Sequence, residues 1–197
     1  MMKHFVPAGR RGSSKGQWFG FILLAAGLIL IALAERFDAP SKAALNRIVV
    51  ASERVTHPDI AKSVVLIIMQ NRDGALGLRL NQPDPEGGFF GGAVERDVKT
   101  YALHSLDVKF SETKPLSVRD IGLLEGKEAV DRLEMADKKP AWHRVFKGYS
   151  GWGKRQLDMD LADGLWFLVP YDDKFVRETV PEEMWGKAQG LRRISAD

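Results

Sequence analysis

The chain has 197 residues, 45% of them hydrophobic and 28% charged, a balance that fits a folded globular protein and excludes extended disorder. It contains no cysteine, which excludes disulfides, thiolate metal centres, iron–sulfur clusters and a cysteine nucleophile. The net charge of +3 is concentrated in Lys3, Arg10, Arg11 and Lys15, ahead of the first acidic residue, Glu35; the remainder is close to neutral, so no nucleic-acid partner is expected.

Residues 1–17 read as a basic cytoplasmic tail. Trp18 to Ala34 then runs without a charge, with Trp18 and Phe19 at its head. Its length is at the lower limit for crossing a bilayer core, and it shows no polar face of the kind a soluble helix keeps. The segment is expected to be a transmembrane anchor whose partner is the lipid bilayer. The alternative is a signal peptide, because Ala32-Leu33-Ala34 also offers a small-residue cleavage pattern. The basic flank places the tail in the cytoplasm and the rest outside it. The expected location is thus the bacterial inner membrane, single-pass, with the domain on the periplasmic side. Residues 35–46 are a polar linker, and residues 47–197 are the domain.

Within the domain, Arg47–Ala51 and Ser63–Gln70 are β-branched apolar runs. Asn71-Arg72-Asp73-Gly74 is a turn signal, and Ala75–Leu80 continues as a strand, so Ser63–Leu80 reads as a hairpin. Asn81–Gly92 is a loop rich in proline and glycine. Thr100–His104, Leu116–Val118 and Ile121–Leu124 are short strand candidates. Lys127–Ala136 carries Ala129, Val130, Leu133 and Ala136 at helical spacing. Trp142–Phe146 is strand-like, Gly148–Gly153 is a glycine-rich turn, Arg155–Ala162 is helical, and Leu165–Val169 is a buried strand closed by Pro170. Pro181 suits a first helical turn, and Glu182–Leu191 follows as the last helix.

Three ordered blocks in this chain resemble the AlgH/YqgE family. The first is His57-Pro58-Asp59, Ser63-Val64-Val65-Leu66, Asn71, Gly74-Ala75-Leu76-Gly77-Leu78 and Leu80-Asn81-Gln82-Pro83. The second is Phe90-Gly91-Gly92-Ala93-Val94 with Leu103-His104-Ser105. The third is Gly148-Tyr149-Ser150-Gly151-Trp152-Gly153, Gln156-Leu157 and Trp166. The resemblance covers roughly residues 47 to 188. It implies an α+β fold whose mixed, bifurcated sheet curls toward a barrel with flanking helices, here preceded by one N-terminal transmembrane helix. It implies no settled activity and no established catalytic residues; the family's name links it to regulation of alginate production. Two features depart from the family pattern. The segment between Pro83 and Gly91 is short, and Ala93 stands where a proline is usual. Typical members also lack a membrane span.

The chemistry candidates follow from local spacing. Gly148 to Arg155 nearly spells a phosphate-binding loop, but Arg155 occupies the position of the Mg²⁺-binding hydroxyl. Gly151, Gly153, Lys154 and Arg155 therefore remain as an anion-binding candidate on a helix N-terminus rather than a nucleotide-hydrolysing site. Phe89, Phe90, Trp142 and Trp152 are candidate interface aromatics, with Phe89 and Phe90 beside any surface that the short loop uncovers; folded inward, the same two rings would plug the gap. His104-Ser105 with Asp107 suggests a triad, yet neighbours on a strand face opposite ways, and a structural histidine is expected. Asp158, Asp160 and Asp163 read as a solvated face rather than a metal cage. No cofactor, metal or catalytic residue is assigned, which leans against an enzyme. The expected function is a non-catalytic, membrane-anchored accessory module that docks on a membrane protein or complex. The alternatives are an enzyme or sensor of a small anionic, phosphate-like ligand, or a regulatory protein.

Overall fold

The structure, a computed structural model, describes residues 44–194 apart from 117 and 119. Alternation of side chains along the strands dictates its layers. In β1 (Ile48–Ala51), Ile48 and Val50 belong to one buried cluster, Val49 and Ala51 to another. In β2 (Val64–Asn71), Val64 and Leu66 join the first cluster, Val65 and Ile67 the second. Both faces are therefore buried, which is why these runs are continuously apolar.

Two five-stranded sheets result. The first has the order β10-β1-β2-β3-β9, with β3 at Gly74–Arg79, β9 at Ser150–Gly153 and β10 at Trp166–Val169. All of its pairs are antiparallel. The second has the order β4-β8-β5-β7-β6. Its strands are β4 (Phe89–Phe90), β5 (Thr100–Ser105), β6 (Lys114–Pro115), β7 (Ile121–Glu125) and β8 (His143–Lys147). Only β4 and β8 pair in parallel there.

The inner faces share one core. Leu66, Leu78 and Leu80 of the first sheet's side meet Leu103, Leu123 and Phe146 of the second. Two helices, α3 (Asp173–Glu178) and α4 (Pro181–Ile194), complete this core with Phe175, Val176, Met184 and Ala188. The outer face of the second sheet is covered by α1 (Lys127–Glu134), through Ala129, Val130 and Leu133 on Ala102 and Leu124. The outer face of the first is covered by α2 (Gln156–Ala162), where Leu157 shares a cluster with Trp152 and Trp166.

The sheets are joined where the chain leaves one and enters the other. β8 runs through Gly148, at φ +67°, directly into β9. Beside it, Gly91 bridges the two: its N–H donates to Lys147 O, and its carbonyl accepts from Arg79 N. Only glycine fits here, because a Cβ at Gly91 would lie 2.3 Å from Gly148 O, and one at Gly92 2.2 Å from the Tyr149 carbonyl. This close passage curls the sheets into the mixed α+β architecture expected from the resemblance.

Several local expectations change. The run read as a turn at Gly148–Gly153 is mostly strand, because Ser150–Gly153 pairs with β3 at Gly77, Leu76, Ala75 and Gly74. The Asn81–Gly92 loop contains the short β4, and the strand expected at Leu116–Val118 sits instead at Lys114–Pro115. The sequence reading also lacks α3, although Asp172 caps it by accepting a 2.6 Å hydrogen bond from Phe175 N.

The expected anchor, residues 18–34, lies outside the described residues. Among the described residues no helix is long and apolar enough to cross a membrane. The longest, α4, has 14 residues, which span about 21 Å against a hydrocarbon core of about 30 Å, and it carries Glu182, Glu183 and Lys187.

Candidate functional site

The sequence-derived aromatics do not form one surface. Trp152 is buried, 8% exposed, with its ring packed edge-on against Trp166 at 5.3 Å. It belongs to the outer core under α2. Phe89, Phe90 and Trp142 are half-buried and gather at the β4–β8 edge of the second sheet. Phe89 neither plugs the core fully nor stands bare: it packs on Phe146 at 5.7 Å while one side remains open.

What covers these three rings is guanidinium. Arg144 Cζ lies 4.7 Å from the Phe89 ring centroid and 5.7 Å from that of Trp142. Arg177 stands 5.2 Å from the same Trp142 ring, and Arg96 lies 4.5 Å from Phe90. Cation–π attraction of this kind is worth about 0.5–2 kcal/mol a pair, rising with desolvation. The order Phe89, Arg144, Trp142, Arg177 makes an alternating stack from three distant stretches of chain. Arg144 and Phe146 share one face of β8, and Trp142, the residue ahead of the strand, packs with Phe89 against the same core, so the stack seals its rim.

The charges in this stack differ. Arg177 is paired, its Nε 2.8 Å from Asp173 Oδ1. Arg144 has no carboxylate partner among the described residues. Its polar contact is a long one, Nη1 donating to Leu80 O at 3.5 Å, out of five N–H donors on the group. Burial pushes its pKa down, with no neighbouring acid to oppose the shift.

Arg144 opens into a groove of about 470 Å³ along β8, bounded by Gly87, Gly88 and Phe89 on one side and by Glu134 and His143 on the other. His143 Nε2 is 3.2 Å from Glu134 Oε1. A Cβ at Gly87 would meet nothing, so that wall is bare backbone. The loop carrying it is pinned by Lys147, whose ammonium lies 2.7 Å from the buried Asp84 carboxylate and 3.0 Å from Glu86. The Lys147 contact, followed by the Glu86 N–H, holds the Asp84 carboxyl below the usual carboxylate range.

The other sequence candidates separate. Gly151 and Gly153 are strand residues facing Leu76 and Gly74, and Gly153 N already donates to Gln156 Oε1 at 3.0 Å. Arg155 precedes the seven-residue α2 in a left-handed conformation at φ 59°, and Lys154 carries interactions of its own. This is a strand running into a short helix, not a glycine loop wrapped over a helix end. His104 is fully buried. Its Nδ1 meets Ser105 O at 2.9 Å and its Nε2 meets Thr113 Oγ1 at 3.1 Å. Ser105 Oγ turns elsewhere, to Asp107 and the Trp142 backbone. The three residues are neighbours without forming a relay. Asp158 accepts a 3.5 Å contact from Gln70 Nε2, while burial pushes the Asp160 carboxyl up, so the acidic trio does not point to one centre. Among the described residues no group of three or more histidines and carboxylates is placed to hold a metal.

The fold and this edge define a two-sheet α+β domain with an aromatic–arginine rim. The chain belongs to the AlgH-like family, which matches residues 48–196. It is 29% identical over 168 residues to a UPF0301 protein of Pseudoalteromonas translucida, covering 74% of this chain and 89% of that one. A UPF0301 protein of Streptomyces coelicolor is 30% identical over 173 residues, covering 77% and 87%. The solution structure of the AlgH protein from Pseudomonas aeruginosa superposes with a TM-score of 0.63 at 22% identity, over 75% of this chain and 87% of that one. A crystal structure from Corynebacterium diphtheriae gives 0.60 at 19%, over 74% and 85%.

These matches correct the expected location. What the chain shares with the AlgH and UPF0301 proteins is the domain after the apolar segment, and that part fills most of their length. With no membrane-crossing helix among the described residues, the inner-membrane, periplasm-facing placement is overturned.

Proposed function

We propose that this domain is a non-catalytic binding module that docks on a protein partner through the Phe89–Arg144–Trp142 rim. One observation carries the reading: large aromatic side chains at the edge of the core stand partly exposed, with guanidinium groups over their rings. Tryptophan and arginine in fixed geometry are the residue types that dominate protein interfaces, because little conformational freedom is lost when they are covered. A protein is favoured over a nucleic acid by charge. The first 43 residues hold six of the 29 basic and two of the 26 acidic residues, which leaves 23 basic against 24 acidic in the rest.

The test is a comparison of complexes. The tagged full chain is cross-linked in its host beside the Trp142→Ala variant, with thermal melts of both. A defined partner captured by the parent and lost from a variant that still melts cooperatively supports docking at the rim. Equal capture by both proteins moves the docking surface elsewhere, and recovery of nucleic acid alone overturns the reading.

A further inference from the structure

The chain leaves β10 at Val169 and turns back through two helices. Pro170 has no N–H to offer a ladder, and the strand stops there. α3 is short, and Thr179 ends it in an extended conformation at φ −76° and ψ 129°. α4 then starts at Pro181 and packs against β10. Between these three elements lies a groove of about 870 Å³. Val169 and Phe175, both buried members of the inner core, line it together with the half-buried Leu191.

The wall that α4 contributes is low. Lys187, Gly190 and Leu191 lie one turn apart and share a face of the helix. A Cβ at Gly190 would meet nothing, and the backbone there is not left-handed, so neither packing nor conformation calls for glycine. Glycine in a helix interior is costly, and its effect at this position is to keep the groove open. The polar groups are few. Thr179 is only 7% exposed, its hydroxyl has no hydrogen-bond partner among the described residues, and that oxygen is not sealed from solvent. The charges that line the groove cancel, Lys174 and Lys187 against Asp172 and Glu178. Lys187 is tied to Glu183 at 2.8 Å, and Asp172 accepts from Phe175 N at 2.6 Å, which leaves Lys174 and Glu178, again opposite in sign. A charged ligand finds no excess of opposite charge here to offset its lost hydration, so an uncharged one is favoured. Cavities of about 300–1,000 Å³, mostly apolar with a few placed polar groups, are the size of small-molecule sites.

We infer that the groove between β10, α3 and α4 binds an uncharged lipid-like molecule, an apolar body carrying one hydroxyl or carbonyl group. The body lies on Phe175 and Leu191 beneath the bare wall at Gly190, and the polar group hydrogen-bonds to Thr179. The lining shares no residue with the aromatic–arginine rim, so this site stands independently of docking there.

Three probes with one alkyl chain and different heads test this: 1-decanol, decanoate and decyltrimethylammonium, each titrated below its aggregation limit into the full chain by calorimetry. 1-Decanol is expected to bind, and each charged probe to bind about tenfold more weakly or worse. Gly190→Phe fills the groove from a position with room for a side chain. It is expected to abolish binding while the chain still melts at or above the parent's temperature. Thr179→Val is expected to weaken 1-decanol about three- to tenfold, and Thr179→Ser to restore it, because the hydroxyl returns. Should Gly190→Phe fail to melt cooperatively, the Val and Ser variants at Thr179 decide. No binding of 1-decanol, equal binding of all three probes, tighter binding of either charged probe, or binding indifferent to both Gly190→Phe and Thr179→Val overturns the inference. So does a cross-linked protein that is lost on Gly190→Phe when the parent ignores 1-decanol, an outcome that puts a protein segment in the groove.

Discussion

Trp142, just ahead of β8, and Trp152, within β9, lie ten residues apart on either side of Gly148, and their surroundings differ in kind. Trp152 sits on the outer face of the first sheet, where Trp166, Leu157 and Ala75 enclose it. Trp142 sits at the rim of the second sheet, where its neighbours are the guanidiniums of Arg144 and Arg177. A ring enclosed by apolar side chains is a packing element. A ring enclosed by cations that themselves reach solvent keeps an accessible face. The same residue type thus serves stability in one region and, on the proposed reading, recognition in the other, and the covering groups decide which.

The sharpest way to separate the two regions is to remove each ring. Trp152→Ala is expected to destabilise the domain by about 3–5 kcal/mol, the range for deleting a buried aromatic. Trp142→Ala is expected to cost only about 1–2 kcal/mol, because the ring is half-covered to begin with. Chemical denaturation of both variants measures this. Equal losses would place Trp142 in the core and remove it from the docking surface.

Much of this was legible in the sequence, and the exceptions share a cause. The strands β1, β2, β5, β7 and β10 announce themselves because each carries an apolar run such as Ile48–Ala51. The Asn71–Gly74 turn is equally local: Asn71 Oδ1 accepts from Asp73 N at 2.8 Å and Gly74 N at 3.2 Å. The strand Ser150–Gly153 was not legible, since its glycines resemble a turn until β3 is seen beside them. The close approach sits on the partner strand: a Cβ at Gly74 would lie 2.0 Å from Trp152 O, whereas one at Gly153 would come no nearer than 3.8 Å to the Gln156 side chain. The large aromatics could be picked out from sequence as candidates, but not sorted into core and rim. Phe89, Arg144 and Arg177 come together only through tertiary pairing, and no spacing rule connects them. Trp152 carried one usable signal: it is the sole large side chain in a strand of small ones, which a packed core requires of its single knob.

The second region has its own packing element behind the rim, at His104. Gly122 lies across from it in β7, and a Cβ there would fall 2.7 Å from His104 Nε2 and 2.6 Å from the Thr113 methyl. Gly122→Ala is therefore expected to cost about 1–3 kcal/mol by overpacking, less than the loss of Trp152. A smaller His104→Ala, Gly122→Ala double-variant penalty than the sum of the singles would confirm that the clash is with this ring.

A gentler perturbation of the same place is acid. Burial pushes the His104 imidazole below its ordinary value of 6.5, outweighing the Ser105 carbonyl and Asp107, which pull it up. The unfolded chain then binds a proton at a higher pH than the folded one. This contribution is fully present above about pH 6.5 and is lost progressively as pH falls from there toward the lowered folded value. Replacing His104 with Gln is expected to flatten that limb of the stability–pH profile. An unchanged slope would mean that another group produces it.

The smallest expected effect is confined to the rim, and it distinguishes a held surface from a merely exposed one. Asp84 and Lys147 tie the Gly87–Gly88 loop to β8, and Asp84 N and Gly88 O close the loop with a 3.0 Å backbone bond. Because Lys147 holds the Asp84 carboxyl below its usual range, this tie is intact above the unfolded carboxylate pKa of about 3.9 and is released as pH falls through the lowered folded value. Asp84→Asn imitates the released state at neutral pH. Hydrogen exchange is expected to accelerate at Glu86 and Phe90, whose N–H groups donate to Asp84 Oδ1 and Gln82 O, while the amides of β9 around Trp152 keep their parent rates. The global melting point should move little, because no apolar contact of the inner core is lost. Exchange that accelerates on both sheets would show that the loop is part of the cooperative core. Acceleration confined to the loop, with loss of the partner captured by cross-linking, would show that the tie exists to hold Phe89 and Arg144 in place for a partner.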